Sequence, residues 1–227
     1  MEAHWSFPQR LSRRVLTALL RRLIRLEVEG LENIPAEGPF ILAANHLHVL
    51  DPAIGLLLVP RRAVGVVKEK WRRPPFGWLL AAMGDVVYVG RSNRRALDEA
   101  AAVLRGGGVV AILPEGTRSP SGALLRGQRG MALLAGRASV PVLPAASHGQ
   151  ERAARWWRRL RRVRVRVRIG DPIEAPPGRL DRQGQQAYTD RVMFAIAGLL
   201  PPAYRGVYGG GEGAPAPSRA RVAETDE

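Results

Sequence analysis

The feature that most constrains the fold of this chain is a series of short, continuous apolar runs that alternate with segments of helical spacing. Strands are predicted at residues 40–44, 63–67, 86–89, 109–113 and 140–145, and helices at 52–58, 75–83, 94–105, 128–137 and 180–200. Apolar strands without polar alternation are typical of a sheet covered on both faces. The pattern therefore predicts a single α/β domain with a mixed, mostly parallel central sheet covered by helices.

The pattern changes at both ends of the chain. Residues 10–27 alternate arginines with apolar residues at spacings of three and four, which predicts an amphipathic helix. Its uninterrupted apolar runs last about five residues, whereas a bilayer needs about 18, so we expect the helix to lie on a membrane or to pack on the domain. We assign residues 1–27 to this membrane-surface helix, 28–200 to the folded domain and 201–227, rich in Gly, Pro and Ala, to a disordered tail.

The net charge of +15 indicates a polyanionic partner. Almost all of the positive charge is arginine, because Lys68 and Lys70 are the only lysines in the chain. Nucleic acid and an anionic membrane surface both fit such a charge. No nucleic-acid-binding motif is present, so we expect an anionic membrane surface and no nucleic acid as a partner.

Part of this charge is concentrated between residues 151 and 169, which hold nine arginines together with Trp156 and Trp157. The strict alternation of apolar residues and arginine over 163–169 predicts a strand with one buried face and one cationic face. Such a strand is either an edge strand protected from aggregation or a surface for phosphates. The tryptophan pair favours the headgroup zone of a membrane, so residues 152–168 compete with the N-terminal helix as the main membrane contact.

The chain contains no cysteine, which excludes a disulfide framework and a thiol nucleophile. His46 and His48 alternate as metal ligands can, but His4 and His148 are distant in sequence and no cysteine completes a site. We therefore expect no metal and no other cofactor.

A histidine and an aspartate stand five residues apart where the predicted strand 40–44 ends, in the stretch Asn45-His46-Leu-His-Val-Leu-Asp51. Asp51 followed by Pro52 is typical of a helix start, with aspartate as the N-cap. A loop between strand and helix can bring the Asp51 carboxylate onto one imidazole nitrogen and leave the other as a general base. The alternatives are that His46 only packs and that Asp51 only caps a helix.

A second block, Leu113-Pro-Glu115-Gly116-Thr117-Arg118-Ser119, follows the predicted strand 109–113. Together with Asn45-His46-x-x-x-x-Asp51 it resembles the signature of the 1-acylglycerol-3-phosphate acyltransferase family. Weaker matches at 84–91 and 140–144 lie between and after these two motifs, in the family's order. The resemblance covers roughly residues 25–175.

This resemblance implies an acyltransferase domain in residues 28–200 and a reaction in phospholipid biosynthesis. A fatty acyl group would pass from an acyl thioester, acyl-CoA or acyl-carrier protein, to the free hydroxyl of 1-acylglycerol-3-phosphate, a lysophospholipid, to give phosphatidic acid. A related acceptor, such as glycerol-3-phosphate, another lysophospholipid or a glycolipid, is the alternative. We expect a peripheral or monotopic enzyme on the cytoplasmic face of the cell membrane.

In this reaction His46 would act as general base and Asp51 would hold its tautomer. The chain has no Gly-x-Ser-x-Gly elbow, so we expect direct attack by the acceptor rather than a serine acyl-enzyme.

Residues 115–118 are the predicted acceptor site. Gly116 allows close approach, Thr117 supplies a hydroxyl, and Arg118 offers a bidentate guanidinium to the acceptor phosphate. The resemblance also ties Glu115 to acceptor binding, but a carboxylate repels phosphate, so we expect Glu115 to orient an arginine.

Arg91 is the second predicted phosphate ligand, because it matches the arginine that ends the family's middle motif. The match is loose, since the motif is one residue longer than usual and Gly90 replaces an acidic residue. Arg94 and Arg95 therefore stay open as alternatives to Arg91.

Overall fold

The structure is a computed structural model, and it describes residues 7–59, 61, 63–73, 85–90, 93–176, 178 and 180–210. The predicted helix 75–83, the predicted phosphate ligand Arg91 and residues 211–227 lie outside the described residues. The described strands are β1 (Ile24–Glu29), β2 (Phe40–Ala44), β3 (Ala63–Lys68), β4 (Asp85–Val89), β5 (Val109–Ile112), β6 (Val142–His148) and β7 (Val163–Ile169). The described helices are α1 (Phe7–Leu23), α2 (Asp51–Leu58), α3 (Asn93–Arg105), α4 (Gly130–Ala138), α5 (Ala153–Trp157) and α6 (Arg182–Leu199).

The strands form one seven-stranded sheet in the order β1-β7-β6-β2-β5-β3-β4. All neighbouring pairs are parallel except β6 and β7, which run antiparallel. The predicted α/β fold with a mixed, mostly parallel sheet is therefore confirmed.

Both faces of the sheet centre are covered, which explains the continuous apolar runs. On β2, Ile41 and Ala43 point into a core with Leu134 of α4 and Ile196 of α6. The alternate residues Phe40 and Leu42 point into a second core with α1 and α2. Each residue of this strand therefore meets apolar neighbours, whichever face it is on.

The N-terminal helix ends earlier than predicted. α1 stops at Leu23, and residues 24–27, predicted as helical, belong to β1 instead. β1 pairs in parallel with β7, starting from Ile24 opposite Val163. The apolar residues at 24, 26 and 28 fit the two-residue period of a strand as well as the spacing of a helix. Pairing with β7 selects the strand. The folded domain therefore begins at least as early as Ile24, whose side chain is buried.

The arginine-rich strand β7 is not at the edge of the sheet, because β1 covers it. Three of its arginines form ion pairs with glutamates of β1: Arg164 and Arg166 with Glu27 at 3.2 and 3.1 Å, and Arg168 with Glu29 at 2.8 Å. The hydrogen bond from Arg166 is the main cause that lowers the pKa of Glu27. The edge-strand alternative is thus wrong, and the two glutamates of β1 offset part of the positive charge on this face of β7.

The segment 201–210, predicted as part of a disordered tail, packs on the domain. Tyr208 is buried, its hydroxyl donates to Asp190 Oδ1 (2.7 Å) and accepts the Gly127 N–H (3.1 Å), and burial raises the pKa of Tyr208 to about 12. Its ring meets Phe194 of α6 edge-on, with ring centroids 5.0 Å apart. Together with backbone hydrogen bonds that join Tyr204 and Val207 to Leu124, this contact orders a segment whose composition predicted disorder.

We expect Tyr208→Ala to lower the free energy of unfolding by roughly 3 to 5 kcal/mol, because it removes a buried aromatic ring and its hydrogen bonds. The neighbouring Val207 is 66% exposed, so Val207→Ala should change stability by about 0.5 kcal/mol or less. Urea denaturation followed by circular dichroism measures both variants. Equal stability of the two would show that the burial of Tyr208 does not stabilise the fold.

Candidate active site

The two sequence motifs meet at one edge of the sheet. β2 and β5 are parallel neighbours, with Ala43 opposite Ile112, so the loops that follow them leave the sheet on the same side. The His46 N–H donates to Glu115 Oε1 at 2.7 Å, and the His46 carbonyl accepts the Ser119 N–H at 2.9 Å. The backbone N–H and carbonyl of His46 therefore both bond to the loop after β5 and hold the two loops together.

The Asp51 carboxylate lies against His46, as the sequence predicted. Asp51 Oδ2 is 2.9 Å from His46 Nδ1 and also accepts the backbone N–H groups of Leu47 (2.6 Å) and His48 (2.7 Å). The predicted N-cap role is wrong, because Asp51 is the first residue of α2 and its side chain turns back to the preceding loop. The residue at the cap position, Leu50, makes no side-chain cap.

This contact determines which imidazole nitrogen can act as a base. Beside an acceptor carboxylate, Nδ1 of a neutral imidazole carries the hydrogen, and Nε2 keeps its lone pair. The His46 side chain is 18% exposed and that of Asp51 is 2% exposed. The pair thus has a buried carboxylate behind a histidine that solvent or substrate can reach.

Among the described residues, Glu115 joins the His46 loop to its own loop, which runs from β5 to α4, instead of orienting an arginine. Its Oε1 accepts from His46, and its Oε2 accepts the Leu125 N–H at 2.8 Å. Burial raises the pKa of Glu115, and the two backbone donors oppose that shift. A buried carboxylate needs donors, and the nearby backbone supplies them here. Glu115 therefore stabilises the position of the His46 loop. The sequence did not predict this role.

Residues 116–118 of the second motif are exposed, whereas Ser119 is buried. Gly116 has φ +65° in a turn closed by its N–H and the Leu113 carbonyl at 3.0 Å, so glycine is favoured there. Thr117 and Arg118 are exposed. Burial is the main cause that lowers the pKa of His48; the charge of Asp51 opposes the shift and the charge of Arg118 adds to it. Arg118 therefore lies close enough to the His46 loop for its charge to act there.

The alternative phosphate ligands lie on α3. Arg95 forms an ion pair with Glu99 at 2.9 Å, one helical turn further on, and Arg94 is exposed. Of the predicted site residues within the described ranges, the structure thus brings together His46, Asp51, Glu115 and the 116–118 turn. In those same ranges, no three histidine or carboxylate side chains converge as a metal site.

Two buried side chains that support this site were missed in the sequence. Asn45 exchanges two hydrogen bonds with the Ser147 backbone, at 2.9 and 2.8 Å, and so joins the His46 loop to the end of β6. Gln150 is fully buried, and its Nε2 donates to Asp51 Oδ1 (3.0 Å) and to Ser147 Oγ (2.8 Å). Asn45 directly precedes His46 in the first motif, whereas Gln150 lies far along the chain and no local pattern indicates its role.

Comparison with known proteins identifies the family of this chain. The sequence model of the family described as Acyltransferase matches residues 25–148. The chain is 28% identical over 195 residues to the 1-acyl-sn-glycerol-3-phosphate acyltransferase alpha of Bos taurus, covering 83% of this chain and 67% of that protein. It is 33% identical over 138 residues to the 1-acyl-sn-glycerol-3-phosphate acyltransferase of Pseudomonas aeruginosa, covering 59% and 52%.

A solved structure has a similar fold. The 1-acyl-sn-glycerophosphate acyltransferase PlsC from Thermotoga maritima superposes with a TM-score of 0.63 at 27% identity, covering 84% of this chain and 78% of that one. The family match spans more than half of this chain and includes both the His46–Asp51 pair and the 115–118 turn. The chain therefore belongs to the acyltransferase family, in the group of the 1-acylglycerol-3-phosphate acyltransferases, and is an O-acyltransferase.

Proposed function

We propose that this enzyme transfers a fatty acyl group from acyl-CoA or acyl-carrier protein to the free hydroxyl of 1-acylglycerol-3-phosphate and forms phosphatidic acid. The observation that carries the proposal is the contact between Asp51 and Nδ1 of the partly exposed His46, which leaves Nε2 as the basic nitrogen in a loop bonded to Glu115 and Ser119. The names of the relatives from Bos taurus and Pseudomonas aeruginosa support the choice of acceptor.

The geometry supports a direct transfer. His46 Nε2 accepts the proton of the acceptor hydroxyl as its oxygen attacks the thioester carbonyl. The tetrahedral intermediate then collapses, the C–S bond breaks, and the imidazolium returns the proton to the leaving thiolate. Asp51 keeps the reactive tautomer and stabilises the imidazolium between these two steps. The products are the ester and the free thiol of the carrier.

Arg118 is the proposed ligand of the acceptor phosphate. It stands three residues after Glu115, which is fixed to His46, so its backbone is held beside the catalytic pair while its side chain is exposed. A guanidinium can bind a phosphate through two parallel hydrogen bonds.

We further propose that α1 holds the enzyme at the membrane surface. Leu11, Val15 and Leu19, spaced four residues apart, are 53%, 61% and 53% exposed, whereas Leu20 is 4% exposed and packs on the domain. The helix therefore has one face on the domain and an apolar stripe facing outward, as an interfacial helix requires. No helix within the described ranges has the length and apolar character to cross a membrane.

Removing the base tests the mechanism. His46→Ala should lower kcat by roughly 10² to 10⁴, because the acceptor hydroxyl loses its proton acceptor. His148→Ala is the matched control, because His148 lies on β6 against the Tyr204 ring and should keep most of the activity. Turnover of 1-acylglycerol-3-phosphate with acyl-CoA, measured on folded protein, compares them. Near wild-type turnover of the His46 variant would refute the mechanism.

Arg118→Ala should lower kcat/KM for 1-acylglycerol-3-phosphate roughly ten- to a hundredfold, because a charge-assisted contact to the phosphate is lost. Arg118→Lys should recover only part of the loss, since lysine lacks the planar fork. Arg105→Ala removes an exposed arginine at the end of α3 and should have little effect. If the wild type uses a phosphate-free monoacylglycerol equally well, both the role of Arg118 and the proposed acceptor are wrong.

Gln150→Leu should lower kcat by roughly tenfold while KM for the acceptor stays close to the wild-type value, because Asp51 loses a donor and holds His46 less firmly. Gln185→Leu is the matched control, since the side-chain amide of Gln185, on α6, donates to the carbonyl of Leu180, which precedes the helix and makes no contact with the catalytic pair. Steady-state kinetics across pH separates the two variants. A change in the pH dependence of kcat only for Gln150→Leu supports a positioning role, and equal effects on both would indicate a general loss of stability.

A further inference from the structure

The turn after α5 exposes a large apolar side chain in an unfavourable backbone conformation. Leu160 is 98% exposed and has φ +53°. Its N–H donates to the Trp157 carbonyl (2.9 Å) and the Arg161 N–H donates to the Trp156 carbonyl (3.0 Å), which is the Schellman pattern of a helix end. Glycine is the usual residue at that position. A leucine there is strained and buries nothing in the fold, so its side chain is available to a partner.

Unpaired arginines surround this turn. Arg155, Arg158, Arg159 and Arg161 are exposed, and among the described residues none of them has a carboxylate within ion-pair distance. The arginines of β7, by contrast, are paired with Glu27 and Glu29. The positive charge that the fold leaves unneutralised in the 151–169 segment is thus concentrated beside Leu160.

Arg155 and Arg159 also line an open cavity, together with Arg152, which is paired with Glu151 at 3.5 Å. Its volume is about 470 Å³, and its walls are the side chains of Arg152, Arg155, Trp156 and Arg159. Guanidinium groups bind phosphate through charge-assisted, bidentate hydrogen bonds, and tryptophan is enriched at the headgroup level of membranes. The cavity therefore has the charge and the aromatic wall that suit a lipid phosphate.

The position of this turn connects it to α1. The Trp157 indole N–H donates to the Leu23 carbonyl at 3.1 Å, and the Arg162 guanidinium donates to the carbonyls of Arg21 and, at 2.8 Å, of Ile24. At its N-terminal end α5 is preceded by the turn Gln150–Arg152, in which the Gln150 side chain donates to Asp51. The segment that carries the cavity is thus bonded to α1 near its C-terminal end and to Asp51 near its N-terminal end.

We propose that this turn is a second membrane contact, in which Arg152, Arg155, Trp156 and Arg159 bind the phosphate of an anionic lipid headgroup while Leu160 enters the interface. The proposal rests on the membrane location given under the proposed function. An acidic carrier protein would also match the charge, but the exposed leucine, the tryptophan and the contact with α1 favour a lipid surface. With α1, the turn gives the enzyme two fixed points on the membrane and so a defined orientation for the His46 edge.

The test is sedimentation of the full chain with vesicles of phosphatidylcholine, with and without phosphatidylglycerol. Arg155→Ala/Arg159→Ala should lower binding to the anionic vesicles by roughly tenfold or more, because two cations leave the surface. Arg105→Ala/Arg182→Ala removes the same charge at exposed positions outside the cavity and should change binding by about twofold at most. Equal losses in the two double variants would mean that binding depends on net charge alone. That result would overturn the proposal that the cavity is a lipid-phosphate site.

Leu160→Gly separates the fold from the membrane contact. Glycine adopts the positive φ without strain, so this variant should unfold at a higher temperature than the wild type. It should nevertheless bind anionic vesicles roughly three- to tenfold less well, because the inserting side chain is gone. Unchanged vesicle binding would overturn the insertion of Leu160.

Turnover in detergent completes the test. With detergent-dispersed 1-acylglycerol-3-phosphate and acyl-CoA or acyl-carrier protein, the cavity variants should match the wild type, since no membrane is involved. Impaired use of either donor with unchanged vesicle binding would assign the cavity to the donor and overturn the lipid assignment. Vesicle binding needs no turnover, so a wrong acceptor in the proposed function would leave this result interpretable.

Discussion

The hydrogen bonds to the Asp51 carboxylate are the interaction on which the rest of the site depends. One oxygen accepts from Leu47 and His48 and contacts His46 Nδ1, while the other accepts from Gln150. A buried carboxylate with fewer donors would strongly oppose folding in this conformation. The same donors that satisfy the charge therefore determine the path of the loop, and the loop path presents His46 Nε2 at the edge of the sheet.

A second buried carboxylate, Glu115, fixes that loop from the opposite side. It binds the His46 and Leu125 N–H groups, and the parallel pairing of β2 with β5 brings both loops to one edge. His46 is thus held by its side chain through Asp51 and by its backbone through Glu115. The proposed role of His46 as a base needs a position that varies little, and the contacts to the start of α2 and to the loop after β5 provide this.

The sequence predicted the elements that depend on local pattern and missed the contacts that depend on the fold. Apolar runs and motif spacing were sufficient for the central strands and for the His46–Asp51 pair. They were not sufficient for residues 24–27, where helical and strand periods coincide, or for Tyr208, whose burial needs α6. Gln150 meets Asp51 across 99 residues, and Glu115 binds backbone groups that have no sequence signature.

The pairing of β1 with β7 also has a consequence for the order of folding. The ion pair between Glu27 and Arg166 spans 139 residues, so the strand that follows α1 gains its partner only after most of the domain has been synthesised. Contacts of such separation form late, because the intervening chain must first be ordered. In the nascent chain α1 is therefore not yet packed in a fixed position. The helix packs against the domain only when β7 has joined the sheet.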